Sequence, residues 1–133
     1  MREIKFRGLF ESVNGIKTMV YGNYIKSYCG GKEYHEIEKS DFDDFKKWTV
    51  DPKTIGEFTG LIDKNGKEIS EGDIFSDSLS GIKWEIIFMK GAFFCSHQDD
   101  NLNMPLCIIE KWDTLEIIGN IHENPELLTT NPK

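Results

Sequence analysis

The sequence predicts a mainly β chain, built as a small barrel or sandwich. Two observations carry this. Turn signals rich in Gly, Asn and Asp recur about every 8–12 residues. Between them, apolar residues alternate with polar ones at the two-residue period of a half-buried strand. A third observation adds one short helix, because a single segment carries helix markers at both ends.

Glu3 to Phe10 alternates, with Ile4 and Phe6 on one face and Glu3, Lys5 and Arg7 on the other. Asn14-Gly15 supplies a tight hairpin turn, so Lys17 to Tyr21 reads as the return strand. Tyr24 to Tyr28 reads as another strand, followed by a turn at Gly30-Gly31-Lys32. Ser40 to Lys47 is the helix candidate. Ser40 is its N-cap, Asp41, Asp43 and Asp44 fill the first turn, and Lys46 and Lys47 complement the dipole at the end. Phe42 and Phe45 share a face, and Asp51-Pro52 ends the element.

Thr54 to Thr59 reads as strand, and Asp63-Lys64-Asn65-Gly66-Lys67 is the strongest turn in the chain. Glu71-Gly72-Asp73 is a second turn feeding Ile74-Phe75. Ser76 to Gly81 is a polar loop. Trp84, Ile86 and Phe88 share one strand face, and Lys90-Gly91 turns the chain into Ala92 to Ser96. His97 to Asn103 is polar loop, while Leu106 to Ile109 and Leu115 to Ile118 read as buried strands. Asn124-Pro125 opens a terminal helical turn with Pro at its first position. The expected core includes Trp84, Ile86, Phe88, Leu115 and Ile117.

These elements divide the chain into residues 1–53, N-terminal strands and the short helix packed on the core; 54–128, the barrel part; and 129–133, a frayed tail. The whole is expected to be one compact domain.

The chain has 16 Lys and Arg against 23 Asp and Glu, a net charge of −7. That balance argues against a protein that coats nucleic acid, which needs clustered cations. The exception is local: Lys5, Arg7, Lys17, Lys26 and Lys32 all lie in the N-terminal quarter, and adjacent strands could gather them on one face. No apolar run approaches the ~18–20 residues of a membrane span. Met1-Arg2-Glu3-Ile4-Lys5 lacks the apolar stretch of a secretory signal, and the three cysteines, Cys29, Cys95 and Cys107, are an odd number for a disulfide framework. Both point to the cytoplasm and to reduced thiols.

No chemistry-bearing motif stands out. Cys95 and His97 share a strand face, but two ligands do not make a zinc site, and His35 and His122 have no ligand partner nearby in sequence. Asp99-Asp100-Asn101-Leu102-Asn103 offers alternating oxygens. Met104 stands where a calcium loop needs Gly, and Glu110 completes the loop only across Pro105 and two isoleucines. There is no nucleophile elbow, Walker loop or dinucleotide fingerprint. No catalytic, cofactor-binding or metal residue is therefore assigned, and no cofactor is expected.

Three blocks carry a resemblance. Thr54-Ile55-Gly56-Glu57-Phe58-Thr59-Gly60-Leu61-Ile62-Asp63-Lys64-Asn65-Gly66-Lys67-Glu68-Ile69-Ser70-Glu71-Gly72-Asp73-Ile74 resembles the core signature of the YopX family of phage and prophage proteins. Met1 to Arg7 is similar to that family's N-terminus, and Leu115 to Leu128 to its C-terminal block. Ser70 stands where an aromatic is common and His122 where Tyr is common. The resemblance implies a compact β-rich fold whose C-terminal part is like an SH3 barrel. It also implies a phage or prophage origin and carries no activity or ligand residues. Every signature residue has a folding role: Asn65-Gly66 turns the chain, Ile69 and Ile74 point inward, and Asn120 bonds neighbouring backbone.

The expected function is a non-enzymatic accessory protein of the host cytoplasm that binds a host or phage protein. A nucleic-acid-associated module and, behind it, a small enzyme are the alternatives. No membrane partner is expected, and a homo-oligomer is compatible with the sequence.

Overall fold

The computed structural model describes residues 3–41, 44–76, 81–97, 103–106 and 115–128. Among them are eleven strands and two short 3-10 turns, so the chain is mainly β. It forms two compact units, Met1–Phe58 and Thr59–Lys133.

In the first unit β1 (Phe6–Glu11), β2 (Lys17–Cys29), β3 (Lys32–Ser40) and β4 (Phe45–Thr49) are followed by a 3-10 turn (Pro52–Thr54) and by β5 (Gly56–Ile62), which runs on into the second unit. The strand order is β4-β3-β2-β1-β5, and the pairings are antiparallel. The first hairpin closes where expected. Gly15 adopts φ 81°, and Ser12 Oγ accepts from the Ile16 N–H at 3.2 Å.

The two strands expected at Lys17–Tyr21 and Tyr24–Tyr28 are one. β2 pairs with β1 through Gly22, then with β3 from Asn23 onward. The handover is possible because residue 22 has no side chain. A Cβ there would overlap the Glu38 carbonyl oxygen and lie 2.9 Å from its carbon.

The expected helix is absent. Ser40 ends β3, Phe45–Thr49 forms β4, and the two strands pair from Ser40↔Phe45 to Glu36↔Thr49. Asp41 and Asp44 close the hairpin with reciprocal backbone hydrogen bonds of 2.7 and 3.4 Å; Phe42 and Asp43 lie outside the described residues. Two turns of helix are too short to hold by propensity alone, since isolated helices below ~12–15 residues are marginal. Strand alternation instead lays Trp48 across from Ile37 in the core.

Val20, Ile37 and Val50 form that core, with Phe6, Phe10, Tyr24, Trp48 and Ile55 packed against it. Thr54, expected in a strand, lies in the 3-10 turn and is buried. Its hydroxyl donates to the Asp51 carbonyl at 2.6 Å and accepts from the Leu9 N–H at 2.8 Å, so the turn serves the edge of β1 that β5 does not reach. Ile4, expected to face inward, is 63% exposed ahead of β1, and Arg7, expected to face water, is 2% exposed. Arg7 lies where β1 is flanked by β2 on one side and β5 on the other, a central position that simple alternation does not reveal.

The second unit adds β6 (Glu68–Ser70), β7 (Asp73–Ser76), β8 (Lys83–Met89), β9 (Ala92–His97), β10 (Asn103–Pro105), β11 (Glu116–Asn120) and a terminal 3-10 turn (Pro125–Leu128). Here β6 neighbours β5, and the other five strands run in the order β10-β9-β8-β7-β11. No sheet closes on itself, so among the described residues the expected barrel is an open antiparallel sheet. Its core is Ile69, Phe75, Ile86, Cys95, Leu106 and Ile117, and Trp84, Leu115, Leu61, Phe93 and Met104 pack on it. Ile69, Ile74 and Ile86 are fully buried.

Phe88, expected in this core, is 48% exposed. It stands two residues before the Lys90-Gly91 turn and meets Phe93 edge-on at 5.1 Å. At a hairpin tip the neighbouring strands no longer overlie it. Of the strand expected at Leu106–Ile109, only Leu106 is described, buried just after β10. Cys107–Ile109 and the oxygen-rich residues Asp99–Leu102 lie outside the described residues.

Candidate functional site

Among the described residues, a cluster of chemistry-bearing side chains lies on the β2–β3 hairpin. The register puts Lys26 opposite His35 and Tyr28 opposite Glu33. With the two-residue period, Tyr24, Lys26, Tyr28, Glu33 and His35 therefore share one face. His35 Nε2 lies 2.7 Å from Glu33 Oε2, and His35 Nδ1 lies 2.7 Å from the Tyr24 hydroxyl. Lys26 Nζ lies 3.2 Å from Glu33 Oε1 and 5.9 Å from the centre of the Tyr28 ring. Tyr24 stacks against His35 with an interplanar angle of 4° and leans on Phe6 at 5.9 Å.

The electrostatics favour an ionised Glu33. The hydrogen bond from His35, then that from Lys26, holds the Glu33 carboxyl below its ordinary value. Lys26 is raised above its ordinary value, first by Glu33 and then by Tyr28. An ionised Glu33 only accepts, so Nε2 of the imidazole carries the hydrogen. In the neutral ring Nδ1 is then the acceptor, and the Tyr24 O–H donates to it. The arrangement is a carboxylate that orients an imidazole, which in turn receives a hydroxyl proton. Sequence reading considered His35 alone and missed the group, because its members come together only through the β2–β3 register. All four tyrosines of the chain, Tyr21, Tyr24, Tyr28 and Tyr34, lie on this one hairpin, a signal that was available.

The five N-terminal cations do not make a common patch. Arg7 is buried, Lys5 sits 3.7 Å from Glu3 and 5.4 Å from the Phe58 ring centre, and Lys26 is bound to Glu33. Lys32 lies over Tyr34 at 5.5 Å, and strand alternation places it on the face opposite Lys26. Lys17 starts β2, opposite Glu11.

Cys95 and His97 do share a face, but the Cys95 thiol is fully buried and donates to the Met104 carbonyl at 3.3 Å, while His97 meets Trp84 edge-on at 4.8 Å. Burial pushes the Cys95 thiol up to about 11. Cys29 is exposed, and both are free thiols. With a thiol reagent at neutral pH, Cys29 is expected to react within minutes. Cys95 should stay protected until denaturant is added, as peptide mapping of the labelled protein would show. Equal labelling of the two would contradict the burial.

In the second unit the signature residues build turns. Asp63 is 4% exposed, and its carboxylate accepts from the N–H groups of Asn65, Lys67 and Ile117, each at 2.9 Å. Burial alone would raise this carboxyl, but the three backbone donors outweigh it and hold the group below its ordinary value. Asp73 is fully buried and accepts from the Ser70 N–H at 2.8 Å. Asn120 accepts from the N–H groups of His122 and Glu123, and its amide donates to Glu123. Gly119 is needed beside it, because a Cβ would lie 2.6 Å from Asn124 Oδ1 and 2.8 Å from Leu127 Cδ1.

Glu85 on β8 is raised by burial and, after that, by Glu71. A carboxyl raised in the folded state opposes folding while ionised, and the penalty disappears once both states are protonated. Glu85→Gln is accordingly expected to raise the melting temperature at pH 7, with the gain shrinking toward pH 4. Thermal melts at both pH values measure it, and a lower melting temperature at pH 7 would refute the assignment.

The fold and these turns define a class: an antiparallel β protein of two units in which the most distinctive residues hold turns together. The comparisons narrow it. The YopX protein family model matches residues 5–129, so the chain belongs to the YopX family. Among solved structures, the chain is similar to the crystal structure of protein EF1440 from Enterococcus faecalis, at 28% identity and a TM-score of 0.54, covering 97% of this chain and 100% of that one. No curated protein matches the sequence.

Proposed function

We propose that this protein is a non-enzymatic binding module, of phage or prophage origin, that acts in the bacterial cytoplasm by docking on a host or phage protein. The observation that carries the reading is the division of charge. The first unit holds ten Lys and Arg against ten Asp and Glu and is neutral; the second holds six against thirteen and carries the whole net −7. A charge concentrated in one unit steers a basic partner toward that unit. The buried carboxylates of the signature support the same reading, because Asp63 and Asp73 are engaged by backbone N–H groups. The strand-rich second unit is, in this proposal, an SH3-like module whose sheet is open. Among the described residues no helix is long and apolar enough to cross a membrane.

The test is affinity capture from bacterial lysate with and without nuclease, followed by titration of the purified partner at two salt concentrations. A protein retained after nuclease and bound more weakly at higher salt is the expected result. Loss of the captured material on nuclease treatment, with sub-micromolar binding of single-stranded or duplex DNA in a mobility shift, would replace this reading with a nucleic-acid-associated one.

A further inference from the structure

We propose that Tyr24 is a group-transfer acceptor, a phenol that His35 and Glu33 prepare to take an activated acyl group. The inference is independent of the protein-binding reading, since it rests on the first unit's hairpin alone. Three features of the geometry support it. The Tyr24 hydroxyl and His35 Nδ1 are 2.7 Å apart, within reach of direct proton transfer. The opposite ring nitrogen is held 2.7 Å from Glu33, so the accepting nitrogen is fixed and the imidazolium formed on transfer faces a carboxylate. Lys26, two residues along the same strand face, pairs with Glu33 at 3.2 Å and keeps that carboxylate charged beside the imidazole.

The step balances without a redox partner. The Tyr24 oxygen attacks the acyl carbon as its proton passes to His35 Nδ1, and an O–C bond forms. The bond from the acyl carbon to the leaving group breaks, and the electron pair departs with that group, which then takes the proton back from His35. The product is an ester at Tyr24 with the relay restored.

The hairpin supplies its own control. Tyr28 lies four residues away on the same face and is 67% exposed, whereas Tyr24 is half-buried. Tyr28 has Lys26 as its neighbour, over its ring at 5.9 Å and hydrogen-bonded to its side chain, where Tyr24 has the imidazole of His35. Exposure alone therefore predicts faster modification of Tyr28, and the relay predicts the reverse.

The experiment treats the whole folded protein with N-acetylimidazole at pH 7.5 and follows each tyrosine by peptide mass spectrometry over time. Tyr24 is expected to acetylate faster than Tyr28. His35→Asn should slow Tyr24 at least about tenfold while leaving Tyr28 unchanged. Glu33→Gln, an exposed and nearly isosteric change, should slow Tyr24 in the same direction and guards against misfolding in the histidine variant. Tyr28 outpacing Tyr24 in the parent protein, or an unchanged Tyr24-to-Tyr28 rate ratio in Glu33→Gln, would overturn the proposal.

Discussion

Asp63→Ala is expected to destabilise the protein by about 3 kcal/mol, a large share of the ~5–15 kcal/mol that holds a typical domain. The carboxylate serves two jobs at once. One oxygen gathers the N–H groups of Asn65 and Lys67 into the turn after β5, and the other accepts from Ile117, 54 residues away in β11. Alanine leaves all three donors without this acceptor, in a site where Asp63 is nearly inaccessible. Urea denaturation followed by tryptophan fluorescence would measure the loss; a change below about 1 kcal/mol would show that water replaces the carboxylate at little cost.

The same residue sets an acid limb. Its carboxyl lies below the ordinary value in the folded state, so its contribution is fully present above that ordinary value, near ~4, and is lost as pH falls through the folded value. The stability gap between the parent protein and Asp63→Ala should therefore be constant from pH 7 to about 5 and narrow below 4. A gap that widened on acidification would reverse the sign of the argument.

Gly22→Ala is expected to cost about 3 kcal/mol or more and to act locally. The added methyl would occupy the space of the Glu38 carbonyl group, which is backbone within the β2–β3 ladder and cannot swing aside as a side chain could. The strand pair must separate at Asn23↔Glu38, so amide exchange of Asn23–Cys29 should accelerate before that of Lys17–Tyr21, which pair with β1. Uniform loss of protection across β2 would instead indicate global destabilisation. Because Tyr24 and His35 meet across the same ladder, this variant should also weaken their hydrogen bond.

The sequence by itself determined whatever depends on near neighbours. Asn14-Gly15 and Asn65-Gly66 turn the chain because a positive φ is needed there and glycine supplies it. Ile69 and Ile74 are buried on either side of the Glu71-Gly72-Asp73 turn as expected, Ile86 is buried as its strand alternation required, and the signature blocks placed the chain in its family. Tertiary structure decided what depends on strands far apart in sequence. Ser40–Lys47 has sound helix ends, yet it gives way to a hairpin because pairing with β3 buries Trp48 and two turns of helix offer nothing comparable. Arg7 is buried because β1 is flanked by β2 and β5 at that position, whereas Phe88 is exposed because its strand is about to end. The Tyr24–His35–Glu33 relay depends on register, and the Asp63–Ile117 bond spans 54 residues. Local rules specify dihedral preferences and the two-residue alternation. Which strand lies beside which is settled only when the whole sheet pairs its backbone and covers its faces.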